Sequence, residues 1–175
     1  MPTIFAHAVV PLAIAAAAGT GRVSPKLAIA GAAFAILPDL DVVSFRLGID
    51  YADTWGHRGA THSLVFAALC AGVVALFWRE ARSWFGWVFL ALSMASHGLL
   101  DTLTDGGLGA ALWWPFSEAR VFAPHTPVRV SPIGAGFFSA RGFETVLSEL
   151  RWIVLPCLAL ATTGWLVRRA TPART

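Results

Sequence analysis

His97 and Asp101 stand four residues apart in an otherwise apolar run, a spacing that on a helix places imidazole and carboxylate one above the other, where both can take the same metal ion. Other groups of the same chemistry lie beside further apolar runs: His7, the pair Asp39 and Asp41 in Pro-Asp-Leu-Asp, and His57, Arg58 and His62 in His-Arg-Gly-Ala-Thr-His-Ser. Singly, each has a plain reading. His97 can hydrogen-bond within a bundle, aspartate after proline is ordinary turn chemistry, and a lone histidine in an apolar helix needs only one partner. Burying so many together costs free energy unless they share a partner, and a divalent cation is such a partner. Imidazole with carboxylate suits zinc, manganese or iron, and harder oxygen ligands shift the preference toward manganese or magnesium.

The elements that must position these residues follow from composition. Of 175 residues, 57 % are hydrophobic and 13 % charged, with a mean hydropathy of +0.66. One soluble core of this size cannot hide so much apolar surface, whereas a bilayer accepts it, so the expected class is an all-α integral membrane bundle of about five helices in a single domain, 1–175. The apolar runs are Ile4 to Ala18, Leu27 to Leu37 ending at Pro38, Thr61 to Trp78, Trp84 to Leu103, and a closing helix from Trp152 to Val167. The first two are short for a span. Between Thr104 and Leu150 the chain is rich in Gly, Pro and aromatic residues and reads as a long interfacial loop rather than a further helix.

Five alternating spans bring the start of every odd helix and the end of every even one to the same level. His7, Asp39, Asp41, His57, His62, His97, Asp101 and Asp105 all fall there. Arg22 with Lys26, Arg79 with Arg82, and Arg168, Arg169 and Arg174 fall at the opposite end, which the positive-inside bias assigns to the cytoplasm. The histidine level is then extracytoplasmic. Asp105 in Thr-Asp-Gly-Gly reads as a turn residue, and His125 between prolines as an exposed loop residue.

Several function classes are excluded. Basic residues are scattered between apolar runs, so no nucleic-acid partner is expected. Cys70 and Cys157 lie in apolar runs and propose neither a disulfide framework nor a cysteine metal site. Ser63 beside His62 lacks a nucleophile-elbow pattern, and Lys26, the one lysine, has no phosphate-binding glycine loop.

The ordered set of His7, Leu-Pro-Asp-Leu-Asp at 37–41, His-Arg-Gly-Ala-Thr-His-Ser at 57–63, His-Gly-Leu-Leu-Asp-Thr-Leu-Thr-Asp-Gly-Gly at 97–107 and Trp-Trp-Pro-Phe at 113–116 closely resembles the YdjM-like family of LexA-regulated, membrane-bound metal-dependent hydrolases. The resemblance covers most of residues 1–117. It implies a multi-pass protein of the bacterial inner membrane, hydrolase activity and, at the promoter, control within the SOS response. The order is also similar, more distantly, to zinc-dependent phospholipase C and the related single-strand nucleases. By that analogy His7 resembles their early ligand histidine, Asp39 or Asp41 the carboxylate before the next histidine, His62 that histidine, and His97 with Asp101 a pair whose carboxylate can bridge two metals. Their further downstream ligands have no counterpart beyond His125, Glu118 or Glu144 at poor spacing, so one or two ions are expected, zinc or else manganese.

The mechanism expected from this set is hydrolysis by a metal-activated water. The ligands are Asp39 or Asp41, His62, His97 and Asp101, with His7 at a second ion. A spare aspartate of the Pro-Asp-Leu-Asp pair takes the proton, and Arg58 and His57 offer charge-assisted hydrogen bonds to a phosphoryl or carboxylate group. Trp113, Trp114 and Phe116 beside such a site suit a membrane lipid or another amphiphilic, phosphorylated substrate. The competing classes are a metal or proton transporter and a non-enzymatic membrane protein with a structural metal site. A transport site lies near the midplane with access to both sides, whereas these groups sit at helix ends on one face.

Overall fold

A computed structural model of the protein describes residues 1–132 and 134–171. Arg174 lies outside the described residues. The chain folds into helices α1 (Ile4–Ala18), α2 (Pro25–Ile36), α3 (Leu64–Phe77), a single turn α4 (Arg79–Arg82), α5 (Trp84–Thr102), α6 (Ala140–Glu149) and α7 (Leu155–Ala170), with no β-strand among the described residues.

Four helix starts are set by the same local chemistry. Thr3, Ser24, Ser63 and Ser83 each turn a hydroxyl onto the backbone N–H three residues ahead, satisfying one of the donors that a first helical turn leaves unpaired. Helix α2 does not stop at Pro38. It tightens into a 3-10 helix over Leu37–Leu47, which carries Asp39 and Asp41. Proline is tolerated there because it falls in the first turn of the new segment, where its missing N–H is not needed.

The segment 104–150, read from composition as a long loop, is likewise not all loop. It contains α6, which runs through a wide π turn at Leu150–Val154 directly into α7, so the last helix spans Ala140–Ala170 rather than 152–167. Pro156 accounts for the wide turn: without an N–H it cannot close the ordinary bond to the carbonyl four residues back. The pieces around Gly106 to Phe116 and before Pro132 are extended loop, with isolated bridges pairing Thr104 to Val128 and Ala110 to Val121.

Helix α1 packs between α2 and α7, and α5 packs between α2 and α3. Alanine and glycine at these crossings let backbones approach closely. A methyl group at Gly31 would meet the Phe89 ring at 2.5 Å, and one at Gly98 would meet the His62 carbonyl at 2.3 Å. Pro25–Leu47 and Ala140–Ala170 are long and apolar enough to cross a membrane, and α1 and α3 are apolar but shorter. Helix α7 buries no side chain and exposes Leu155, Leu158, Leu166 and Val167.

The ends of the bundle differ in chemistry. Arg168 donates to the Ala17 carbonyl, and the Ser24 hydroxyl to Glu80, so the α1–α2 turn, α4 and the end of α7, with their arginines, gather at one end. The starts of α1 and α3 and the end of α5 gather at the other, under the loop 104–131.

Candidate metal centre

At that second end a knot of ionisable side chains is closed off from solvent. His7, Arg58, His62, His97 and Asp101 are each no more than 1 % exposed, and the Asp39 and His57 side chains retain 7 %. Helix α1 supplies His7, the 3-10 segment Asp39 and Asp41, the turn before α3 His57, Arg58 and His62, and α5 His97 and Asp101. Helical spacing brings His97 and Asp101 to the same side of α5, as the sequence implied, with 3.9 Å between Nε2 and Oδ2.

The hydrogen bonds define the tautomers. His97 Nδ1 lies 2.7 Å from the Ala35 carbonyl, which can only accept, so the hydrogen sits on Nδ1. His62 Nδ1 faces Asp41 Oδ2 at 3.2 Å and the oxygen of Thr61 at 3.1 Å, while the Thr61 hydroxyl itself donates to Asp41. Its hydrogen is therefore also on Nδ1. The two Nε2 lone pairs then face one another across 3.0 Å, which is repulsive unless a cation lies between them.

The atoms around this gap are of the types that could hold a metal ion. Both oxygens of Asp39, both oxygens of Asp101 and both ring nitrogens of His7 are buried with no hydrogen-bond partner. Buried polar atoms are almost always paired, so this many unpaired atoms in one small volume fits missing ligands better than a shared proton. Asp39 Oδ1 lies 3.3 Å from His97 Nε2, and Asp101 Oδ2 lies 3.4 Å from His62 Nε2. Ligands about 2.0 Å from a tetrahedral divalent ion such as zinc stand about 3.3 Å apart, which is the spacing of these two pairs. Three overlapping triads have ligand atoms within 4.8 Å of one another: His7, Asp39 and His97; Asp39, His57 and His62; and His62, His97 and Asp101. His7 stacks on His97 with ring centroids 3.7 Å apart and points Nε2 at Asp101 Oδ1 from 3.7 Å.

The remaining sequence-selected residues surround the gap. Asp41 is saturated: Oδ1 takes His57 Nδ1 at 2.6 Å, and Oδ2 takes the Arg58 N–H and the Thr61 hydroxyl. Arg58 adopts a left-handed backbone with φ of 63°, a conformation that costs a non-glycine residue about 1–3 kcal/mol. Its guanidinium turns inward, bonding the Gly106 carbonyl and Thr104 Oγ1, with Nε 3.0 Å from Asp101 Oδ2 but off the line of the N–H. Asp105 lies outside the knot, accepting from Arg129 and the Val130 N–H. His125 is exposed, edge-on to Trp152.

Arg120 escaped the sequence reading. It spans the neighbouring loop, donating to the carbonyls of His57 at 2.6 Å and of Tyr51 and Asp53 at 2.8 Å. Nothing in the sequence marks an arginine whose partners are backbone atoms. Glu149 was also missed: it caps α1 from the far helix, accepting 2.7 Å from the Thr3 hydroxyl. Nothing in the polar stretch around it marked this carboxylate.

A helical bundle with apolar outer faces and a closed histidine and aspartate knot at one end defines a membrane protein with a possible metal centre. The chain belongs to the YdjM inner membrane protein family, whose model matches residues 1–171. It is 41 % identical over 180 residues to the inner membrane protein YbcI of Escherichia coli (strain K12), covering 97 % of this chain and 100 % of that protein. No solved structure matches.

Proposed function

We propose that the protein is a metal-dependent hydrolase of the inner membrane, acting on the phosphoester of an amphiphilic lipid at the extracytoplasmic face. The observation that carries the metal is the pair of His62 and His97 Nε2 atoms facing across 3.0 Å, each with its other nitrogen already hydrogen-bonded. His62, His97, Asp39 and Asp101 would hold one divalent ion, and His7 with Asp101 a second. Such an ion would supply a water acidified toward neutral pH as nucleophile.

The other roles follow from the chain's own groups. Asp41 fixes the His62 and His57 rings, the outer-sphere role that sets ligand tautomer and orientation. His57, whose side chain keeps residual exposure, stands where a substrate would enter and can take a proton there. Arg58 donates inward and steadies Asp101; His57 is left as the group available to a substrate phosphoryl. An apolar cavity of about 290 Å³ lined by Met1 to Phe5 and by Pro132 and Phe137 begins one helical turn before His7 and suits a lipid chain. Exposed Trp113 and Phe116 near the same end suit an interfacial position.

Complete burial of the inner ligands favours a second reading, a structural metal that ties α1, α3 and α5 together. The experiment is elemental analysis of detergent-purified wild type, His97→Ala and Asp101→Ala, followed by turnover of phospholipids and model phosphodiesters. Metal in the wild type alone, with metal-dependent hydrolysis, supports the proposal. Bound metal without hydrolysis of any of these substrates supports the structural reading, and a metal-free wild type after reconstitution with zinc and manganese sinks both.

A further inference from the structure

The opposite, basic end of the bundle carries a hollow of its own. About 400 Å³ lies between the α1–α2 turn and the end of α7, within the range of ligand sites in proteins. Its walls are Leu12, Ala16, Val23 and Ala28, and its mouth holds Thr20 and Arg168. Arg22 and Lys26 on the adjoining turn are exposed, as are Arg79 and Arg82 on α4. The one acid on these segments, Glu80, is engaged by the Ser24 hydroxyl. Arg168 is anchored through one guanidinium N–H to the Ala17 carbonyl at the end of α1, and a guanidinium has five such donors.

We infer that this hollow binds one anionic phospholipid, its phosphate against Arg168 and Thr20 and an acyl chain along Leu12, Ala16 and Ala28. Charge and shape choose the ligand. A basic mouth selects a phosphate, and apolar walls opening beside lipid-facing α7 select a chain rather than water. Basic pockets between membrane helices on the cytoplasmic side characteristically take acidic head groups. The site is independent of the histidine knot and stands or falls apart from the hydrolase proposal.

Native mass spectrometry of the full chain in detergent tests it, with phosphatidylglycerol and phosphatidylcholine of identical acyl chains as probes and inorganic phosphate as competitor. Wild type should hold one phosphatidylglycerol at least about tenfold more tightly than phosphatidylcholine, and phosphate should not displace it. Arg168→Ala should weaken phosphatidylglycerol by roughly fivefold and leave phosphatidylcholine unchanged, while Arg168→Lys retains the preference. Ala16→Trp, which fills the hollow, should release both lipids; if that variant does not accumulate, Leu12→Trp replaces it. Equal binding of the two lipids, undiminished phosphatidylglycerol in Arg168→Ala and the tryptophan variant, or displacement by free phosphate overturns the proposal, the last outcome leaving only a phosphate site.

Discussion

Asp41 separates two roles that the sequence left merged. The Pro-Asp-Leu-Asp motif offered two carboxylates for one ligand position, and the fold divides them: Asp39 turns bare oxygens into the gap, whereas Asp41 has both oxygens occupied by His57, Arg58 and Thr61. The Asp41→Asn variant should therefore still fold and bind metal, but about 10–100-fold more weakly, because an amide cannot accept from all these donors. Asp39→Asn should lose a ligand outright. Competition titration against a chromogenic zinc chelator measures both, and unaltered affinity in Asp41→Asn would remove its orienting role. Arg58 carries a different expectation. Truncating it to alanine leaves Asp101 unpaired among buried groups, a change that costs about 3–5 kcal/mol in comparable buried pairs, so the melting temperature in detergent should fall steeply even in metal-free protein. A melting temperature equal to wild type would show that the inward guanidinium contributes nothing. Residue types were legible because imidazole and carboxylate in apolar runs are costly without partners. Roles were not, since Asp39 and Asp41 differ only in which way the 3-10 turn points them.

At the scale of elements, the apolar periods gave α1, α3 and α5 nearly in place, because their capping hydroxyls and apolar content agree with the packing. The misreadings fall where proline and glycine carry two meanings. Pro38 permits a tighter helix instead of ending one, and Gly142 lies inside α6 although glycine there suggested loop. Gly98 shows how an element is fitted to the site. Its α-hydrogen faces the His62 carbonyl so closely that a Cβ would stand 2.3 Å away, and backbone cannot yield as a side-chain end can. Gly98→Ala should thus push α5 from the turn before α3, destabilising the bundle by about 1–3 kcal/mol and lowering metal affinity together. Denaturation in detergent and the same chelator titration would expose any failure of the two to move jointly. The loop 104–131 has its own clasp in Asp105. Burial raises the pKa of this carboxyl, but the Val130 N–H and the Arg129 guanidinium outweigh burial and hold it below the ordinary carboxylate value. A depressed folded-state pKa gives stability that is complete above the unfolded value of about 3.9 and is lost as pH falls through the folded value. The protection of the Val130 amide, taken relative to its intrinsic exchange rate, should fall only at such acid pH in wild type, and be lost at neutral pH in Asp105→Ala.

The whole molecule is organised by its two ends. One holds the histidine knot under a loop bearing exposed Trp113, Phe116 and Phe122, with Trp55 nearby; the other holds exposed Phe77, Trp84 and Phe85 among arginines. Aromatic residues at both ends of an apolar bundle suit the two interfaces of a bilayer. The gathering of these histidines and aspartates at one end of the bundle was legible because alternation of helix direction is arithmetic. The sequence could not foresee the two elements long enough to cross a bilayer, which arise from the 3-10 extension of α2 and the unbroken Ala140–Ala170 helix. Hydrophobic length alone marks only those two helices as spans, so the orientation rests on packing: α1 is held between α2 and α7, and α3 against α5, with chain ends alternating between the two levels. Single cysteines test this in a background with Cys70 and Cys157 changed to alanine. A membrane-impermeant thiol reagent applied to intact cells should label Leu108→Cys, in the loop above the knot, and should reach Glu80→Cys only after the membrane is opened. The opposite pattern would place the knot on the cytoplasmic side, and the proposed hydrolysis would then have to draw its substrate from the inner leaflet. Labelling of both positions in intact cells would show that α3 and α5 do not hold the two ends apart across a bilayer.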